Sequence, residues 1–147
     1  MTGSERGLPD GVLRVPTVVA HPDDESFGLG GLLTPLSDGG VPTTVLCFTH
    51  GEASTLHGRP GDLHTVRAGE LACAAWELGV HRVELAGHPD GALVDIALPR
   101  LAAEVARLVG EQRPSHLLVF EPAPAHDHDR PRRAATTVSR SVRGPRL

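Results

Sequence analysis

Lysine is absent: all 14 basic residues of this 147-residue chain are arginines, a bias that reflects a GC-rich coding sequence more than a function. They are outnumbered by 18 acidic residues, giving a formal net charge of -4 and a pI near 6.1. Such a field does not attract polyanions, so nucleic acid and an anionic membrane surface are excluded as main partners and a small-molecule substrate is expected. Aromatic residues make up only 3%, so the core must be built from Val, Leu and Ala. The two cysteines, Cys47 in "TTVLCFT" and Cys73 in "ELACAAW", lie among apolar neighbours and read as buried thiols, not as a disulfide or a metal pair. No apolar run approaches the ~18 residues of a membrane span, and "MTGSERGLPDG" lacks the basic and apolar regions of a signal peptide. A cytoplasmic location with no membrane association is expected, and no internal repeat is visible.

What is present is a regular alternation. Residues 1–13 are polar and turn-rich and read as a flexible lead-in, followed by "RVPTVVA", whose β-branched residues mark a buried strand. "GLGGLLTPLSDGG" reads as a helix opened by small residues, strained or shortened by Pro35 and stopped by Gly39 and Gly40. "PTTVLCFT" is a second strand, and the loop after it, about a dozen residues rich in Gly and His, is long enough to suspect a functional role. Val66, Leu71, Ala74, Ala75 and Leu78 recur at helical spacing, with Gly79 as the stop. "HRVELAG" is a short third strand. In "DIALPRLAAEVARLVGEQRP", Leu98, Leu101, Ala102, Val105, Leu108 and Val109 form one stripe, ended by Gly110 and Pro114. "SHLLVFE" is a fourth strand. The order predicts an α/β, Rossmann-like parallel sheet with helices on both faces. The domain is expected to run over 14–121, with 122–147 a divergent, Arg-rich tail of weak helical pattern.

In such sheets ligands bind beyond the carboxyl ends of the strands, and the four segments that follow the strands contain "HPDDE", "HGE", "HPDG" and "HDHD". "GLGG" at 28–31 suggests the dinucleotide fingerprint, but Leu33 stands where its third small residue should be. Asp23, Asp24 and Glu25 precede it, where a pyrophosphate would be repelled, so the glycines read as close packing of helix on sheet. A divalent cation accounts for the acids better, because it pairs with carboxylate and imidazole together. His21 and Asp24 are close enough to supply two ligands. A catalytic zinc site has three protein ligands and an open position for water, and His126 and His128 follow the fourth strand. Asp23 stands between the two ligands, placed to accept a proton from the activated water.

"AHPDDE", preceded by an apolar strand and followed by a Gly-rich helix start, resembles the signature of the PIG-L/LmbE-like de-N-acetylases, zinc hydrolases of N-acetylglucosaminyl substrates. The likeness continues through "TVLCFTHGEAS", "VRAGELACAAWELGV" and "VELAGHPDGAL". The resemblance implies one Zn2+ per chain held by His21 and Asp24, Asp23 as general base, and sugar contacts from Arg67 and Asp90. Each contact has a plainer alternative: Arg67 pairing with Glu70 one turn on, and Asp90 making a turn with Gly91. His88 repeats "HPD" without a second Asp and is not read as a metal site; His50 lines the rim without being read as a ligand.

The family carries H-P-D-H after the fourth strand, whereas this chain has "AHDHDRPRR". By position, His126 becomes the catalytic partner and His128 the third ligand, with one intervening residue missing. Side chains at i and i+2 do not share the geometry of i and i+3 without backbone adjustment. The tail is therefore expected to be a truncated or frame-shifted end. The function expected is zinc-dependent removal of an acetyl group from an amino-sugar conjugate. The alternative is a non-catalytic relative acting as a metal- or ligand-binding module, or an inactive fragment.

Overall fold

The computed structural model describes residues 11–22, 30–50, 63–119 and 129–143; within these, side chains are not described at 63–65, 129 and 139–143. The strands are β1 (Val15–Val19), β2 (Thr43–Thr49), β3 (Arg82–His88) and β4 (Leu118–Val119). The helices are α1 (Gly30–Asp38), α2 (Leu63–Glu77), α3 (Leu98–Gln112) and α4 (Asp129–Arg143), with a 3-10 turn at Leu93–Asp95. All pairings are parallel and the order is β3-β2-β1-β4. The predicted Rossmann-like architecture is therefore the observed one.

Every residue of β1 and β2 is buried, as expected of central parallel strands covered on both faces. Side-chain alternation divides them. Val18, Ala20, Leu46 and Phe48 pack with Leu101, Ala102, Val105 and Leu108 of α3 and with Ala134 and Val138 of α4. Val19, Val45 and Cys47 pack on the opposite face with Leu33 of α1 and Leu71 of α2. Fully burying a residue such as Phe48 or Leu101 is worth about 1.5–3 kcal/mol, so this two-sided packing supplies most of the driving force for the sheet.

Two helix ends follow the expected glycine logic. At α2, Gly79 N–H bonds to the Trp76 carbonyl at 3.0 Å and Val80 N–H to the Ala75 carbonyl at 2.8 Å, with Gly79 at φ +69. This is a Schellman cap, which needs a left-handed residue. Gly40 at φ +72 does the same for α1, through Gly40 N–H to Ser37 O and Val41 N–H to Leu36 O. Pro35 sits inside α1, and nine residues suffice to carry Leu33 and Leu36 into the core. At α3 the expectation that Gly110 ends the helix fails: the helix continues to Gln112, and Arg113 takes the left-handed cap at φ 47 before Pro114. Leu108 is fully buried and Val109 packs on the same core, which holds the turn around Gly110 in helical form.

Three further expectations change. Cys73 is exposed, although Cys47 is a buried thiol as read. Its apolar neighbours in sequence spread around the helix, and Cys73 shares the outward face with Val66, which is exposed too, and with Trp76. Finally, residues 129–143, placed in a tail outside the 14–121 domain, form α4, with Ala134, Ala135 and Val138 buried. The segment looked polar because only one narrow side of α4 meets the core. Arg130, buried in the fold, donates from Nε to the Leu93 carbonyl at 3.0 Å and from its terminal nitrogen to the Ile96 carbonyl.

Candidate active site

The strand order reverses direction between β1 and β4, so the crevice at their carboxyl ends is the topological switch point where such sheets bind ligands. β1 delivers its chain into this crevice through a fastened exit. The Ala20 carbonyl accepts from Thr49 N–H and from Thr49 Oγ1, both at 3.0 Å, and the Cys47 thiol lies 3.8 Å from the same oxygen. The next residue is His21. Its imidazole therefore leaves a backbone that β2 holds still.

The ring finds a carboxylate. Nε2 of His21 stands 2.9 Å from Oδ1 of Asp90, with side-chain exposures of 20% and 9%. Asp90 lies two residues beyond β3, on the turn closed by Ala92 N–H to the Pro89 carbonyl at 3.4 Å, with Gly91 at φ 76. The turn foreseen for Asp90 and Gly91 is thus real, yet its carboxylate is nearly buried against an imidazole instead of facing water.

β3 is shaped to bring this turn in. Its register with β2 passes from Cys47↔Leu85 to Thr49↔His88, one extra residue on β3, the mark of a bulge, which bends and re-aims the strand. The strand then ends on His88, 5% exposed, whose Nε2 is 2.6 Å from Glu104 Oε1 on α3. The Phe48 ring packs against the His88 ring at 6.0 Å and 80°. His88 thus anchors the end of β3 to α3. The sequence contains no local signal of its partner, since Glu104 lies 16 residues on.

Arg67, on the second turn of α2, is buried, and its guanidinium is 3.3 Å from Glu70 Oε2, the plainer pairing anticipated for it. His50 is half-buried directly after β2. Asp23 and Asp24, with His126 and His128, lie outside the described residues, so of the expected metal ligands only His21 is placed. Among the described residues no cluster of three or more His, Cys, Asp or Glu could hold a metal, and no helix is long and apolar enough to cross a membrane.

This sheet, with "AHPDDE" at its switch point, has known counterparts. The GlcNAc-PI de-N-acetylase (PIG-L) family description matches residues 17–139. The chain belongs to the PIG-L family. A probable N-acetyl-alpha-D-glucosaminyl L-malate deacetylase 2 of Bacillus anthracis is 32% identical over 119 residues, covering 76% of this chain and 53% of that protein. A 1D-myo-inositol 2-acetamido-2-deoxy-alpha-D-glucopyranoside deacetylase of Kineococcus radiotolerans is 31% identical over 146 residues, covering 78% and 40% respectively. In fold, N,N'-diacetylchitobiose deacetylase from Pyrococcus horikoshii superposes with a TM-score of 0.76 at 24% identity, over 85% of this chain and 48% of that one. The chain spans about half the length of the curated PIG-L relatives it matches. The PIG-L match reaches residue 139 and so includes most of α4, which places that helix within the family domain.

By residue type, the imidazole and carboxylates of "HPDDE" are donors that suit a divalent cation. Asp90 brings a nearly buried carboxyl group against His21, and "HPDDE" adds three more acids within four residues of that histidine. A cation bound by imidazole and carboxylate offsets the repulsion that this concentration of acids otherwise carries.

Proposed function

We propose that this chain acts as a zinc-dependent de-N-acetylase, hydrolysing the acetamide of an N-acetylglucosaminyl-type conjugate. The observation that carries the reading is His21, set at the switch point by a pinned β1 exit and backed by Asp90, at the head of the "HPDDE" run. Named deacetylases among the relatives support the reaction class.

His21, Asp24 and His128 would hold one Zn2+. When bound, the metal supplies Lewis acidity toward the amide carbonyl and lowers the pKa of water toward about 7. Asp23 takes the proton from the attacking water and returns it to the departing amine, since the leaving group must be protonated to go. His126, protonated, stabilises the oxyanion of the tetrahedral intermediate. Arg67 and Asp90 contact the sugar. The substrate class is a small amino-sugar conjugate, handled in the cytoplasm, with neither nucleic acid nor membrane as partner.

Zinc content and hydrolysis of an N-acetylglucosamine conjugate test this directly. Asp23→Asn is expected to retain zinc and lose at least ~100-fold in kcat, as loss of a general base does; His21→Ala is expected to lose zinc. Full turnover in Asp23→Asn removes it as the base. The departure "AHDHD" from the H-P-D-H pattern favours, as a second reading, a metal-binding module without turnover. Stoichiometric zinc with no hydrolysis across a panel of such conjugates would select it.

A further inference from the structure

We infer that Asp90 is a positioning residue for His21: its carboxylate accepts the Nε2 proton of the imidazole, fixing the ring and the tautomer so that Nδ1 is the nitrogen turned to the metal. The inference rests on the proposed metal site and gives Asp90 a role beyond sugar contact.

The geometry carries it from both sides. In the order β3-β2-β1 the two residues emerge from strands separated by β2, about 10 Å apart at the usual strand spacing. Their 2.9 Å approach therefore bridges the end of β2 and does not arise from sequence neighbours. Each end is immobilised independently of the contact. On the His21 side the Ala20 carbonyl is held by Thr49 through both its N–H and its hydroxyl. On the Asp90 side the β3 bulge, the bond of buried His88 to Glu104 and the positive φ of Gly91 fix the turn. A turn aspartate ordinarily keeps its carboxylate in water; this one is 9% exposed with an imidazole nitrogen against it.

The chemistry then follows from donor and acceptor rules. An ionised carboxylate only accepts hydrogen bonds, so a neutral imidazole facing it must carry its proton on Nε2 and its lone pair on Nδ1. A carboxylate behind a metal-bound histidine also raises the basicity of the ligand, and removal of such a partner typically costs 10–100-fold in metal affinity or activity.

Two measurements decide the matter. In the zinc-loaded wild-type protein, long-range 1H–15N NMR of the histidine rings is expected to find His21 protonated at Nε2 and metallated at Nδ1. In parallel, zinc affinity by chelator competition is expected to fall about 10–100-fold in Asp90→Ala and by less in Asp90→Asn, whose amide oxygen still accepts the bond while the turn geometry is kept. Metal on Nε2 of His21, or a zinc Kd in both variants within twofold of wild type, overturns the inference. So does a loss confined to KM for the sugar substrate at saturating zinc, which would leave Asp90 as a substrate contact alone. A wild-type chain that takes up no zinc fails earlier, because it removes the metal site itself and the inference with it.

Discussion

The smallest features that position the site are single polar atoms on strand ends. Thr49 is fully buried on β2 and spends its hydroxyl on the Ala20 carbonyl. In Thr49→Val the shape is nearly kept and Ala20 retains the backbone donor, so the loss should be about 1 kcal/mol in urea unfolding, the ordinary net value of one hydrogen bond. At the proposed metal site, zinc affinity should weaken alongside, because the bond holds the residue before His21. The thiols differ for the same reason of direction. Cys47 is buried and donates toward the Thr49 carbonyl at 3.1 Å, whereas Cys73 faces outward. A thiol reagent should therefore titrate one cysteine per native chain and two in denaturant; two fast thiols in the native state would contradict the burial of Cys47. Little of this was legible in the residue string. "TTVLCFT" reads as a buried strand whichever way its side chains turn, and the helical phase of Cys73 depends on which side of α2 meets the sheet.

At the scale of elements, capping is where sequence and structure agree most closely. Gly79 stands at φ +69, and a Cβ there would meet Ser37 Oγ at 2.0 Å, the same hydroxyl that donates to the Gly79 carbonyl at 2.9 Å. Gly79→Ala thus combines left-handed backbone strain, roughly 1 kcal/mol, with displacement of a bonded side chain. Unfolding should register about 1–3 kcal/mol of destabilisation, and part of it should be recovered in a Ser37→Ala background, since that removes the nearer of the two clashing atoms and leaves only the Cβ at 2.9 Å. Hydrophobic period predicts α2 and α3, and Gly79 the stop of α2, because those signals are local. The failure at Gly110 is equally instructive: a glycine is a permitted helix end, and only the burial of Leu108 and the packing of Val109 decided that the helix runs on. The bulge in β3 had no sequence mark at all, for a one-residue excess exists only relative to the strand it pairs with.

Over the whole molecule, α4 changes how the domain is understood. Residues that read as an Arg-rich appendage supply Ala134 and Val138 to the core shared by the sheet and α3. Arg130 satisfies the carbonyls of Leu93 and Ile96 just beyond the Asp90 turn. Replacing Arg130 with Met leaves the Leu93 carbonyl with only the Ile96 N–H and takes the guanidinium donor from the part-buried Ile96 carbonyl, so thermal or urea unfolding should lose about 1–3 kcal/mol. An unchanged midpoint would mean that α4 packs without this tie. The sequence by itself determined the alternation of strands and helices, the parallel sheet, and "HPDDE" at the carboxyl end of β1, because hydrophobic period, glycine stops and right-handed connection act over short stretches of chain. Only the tertiary structure decided that Asp90 meets His21, that His88 locks onto Glu104, and that α4 belongs to the core. Those contacts join residues from separate elements, and their partners are chosen by strand order, register and burial, none of which is written in any one segment.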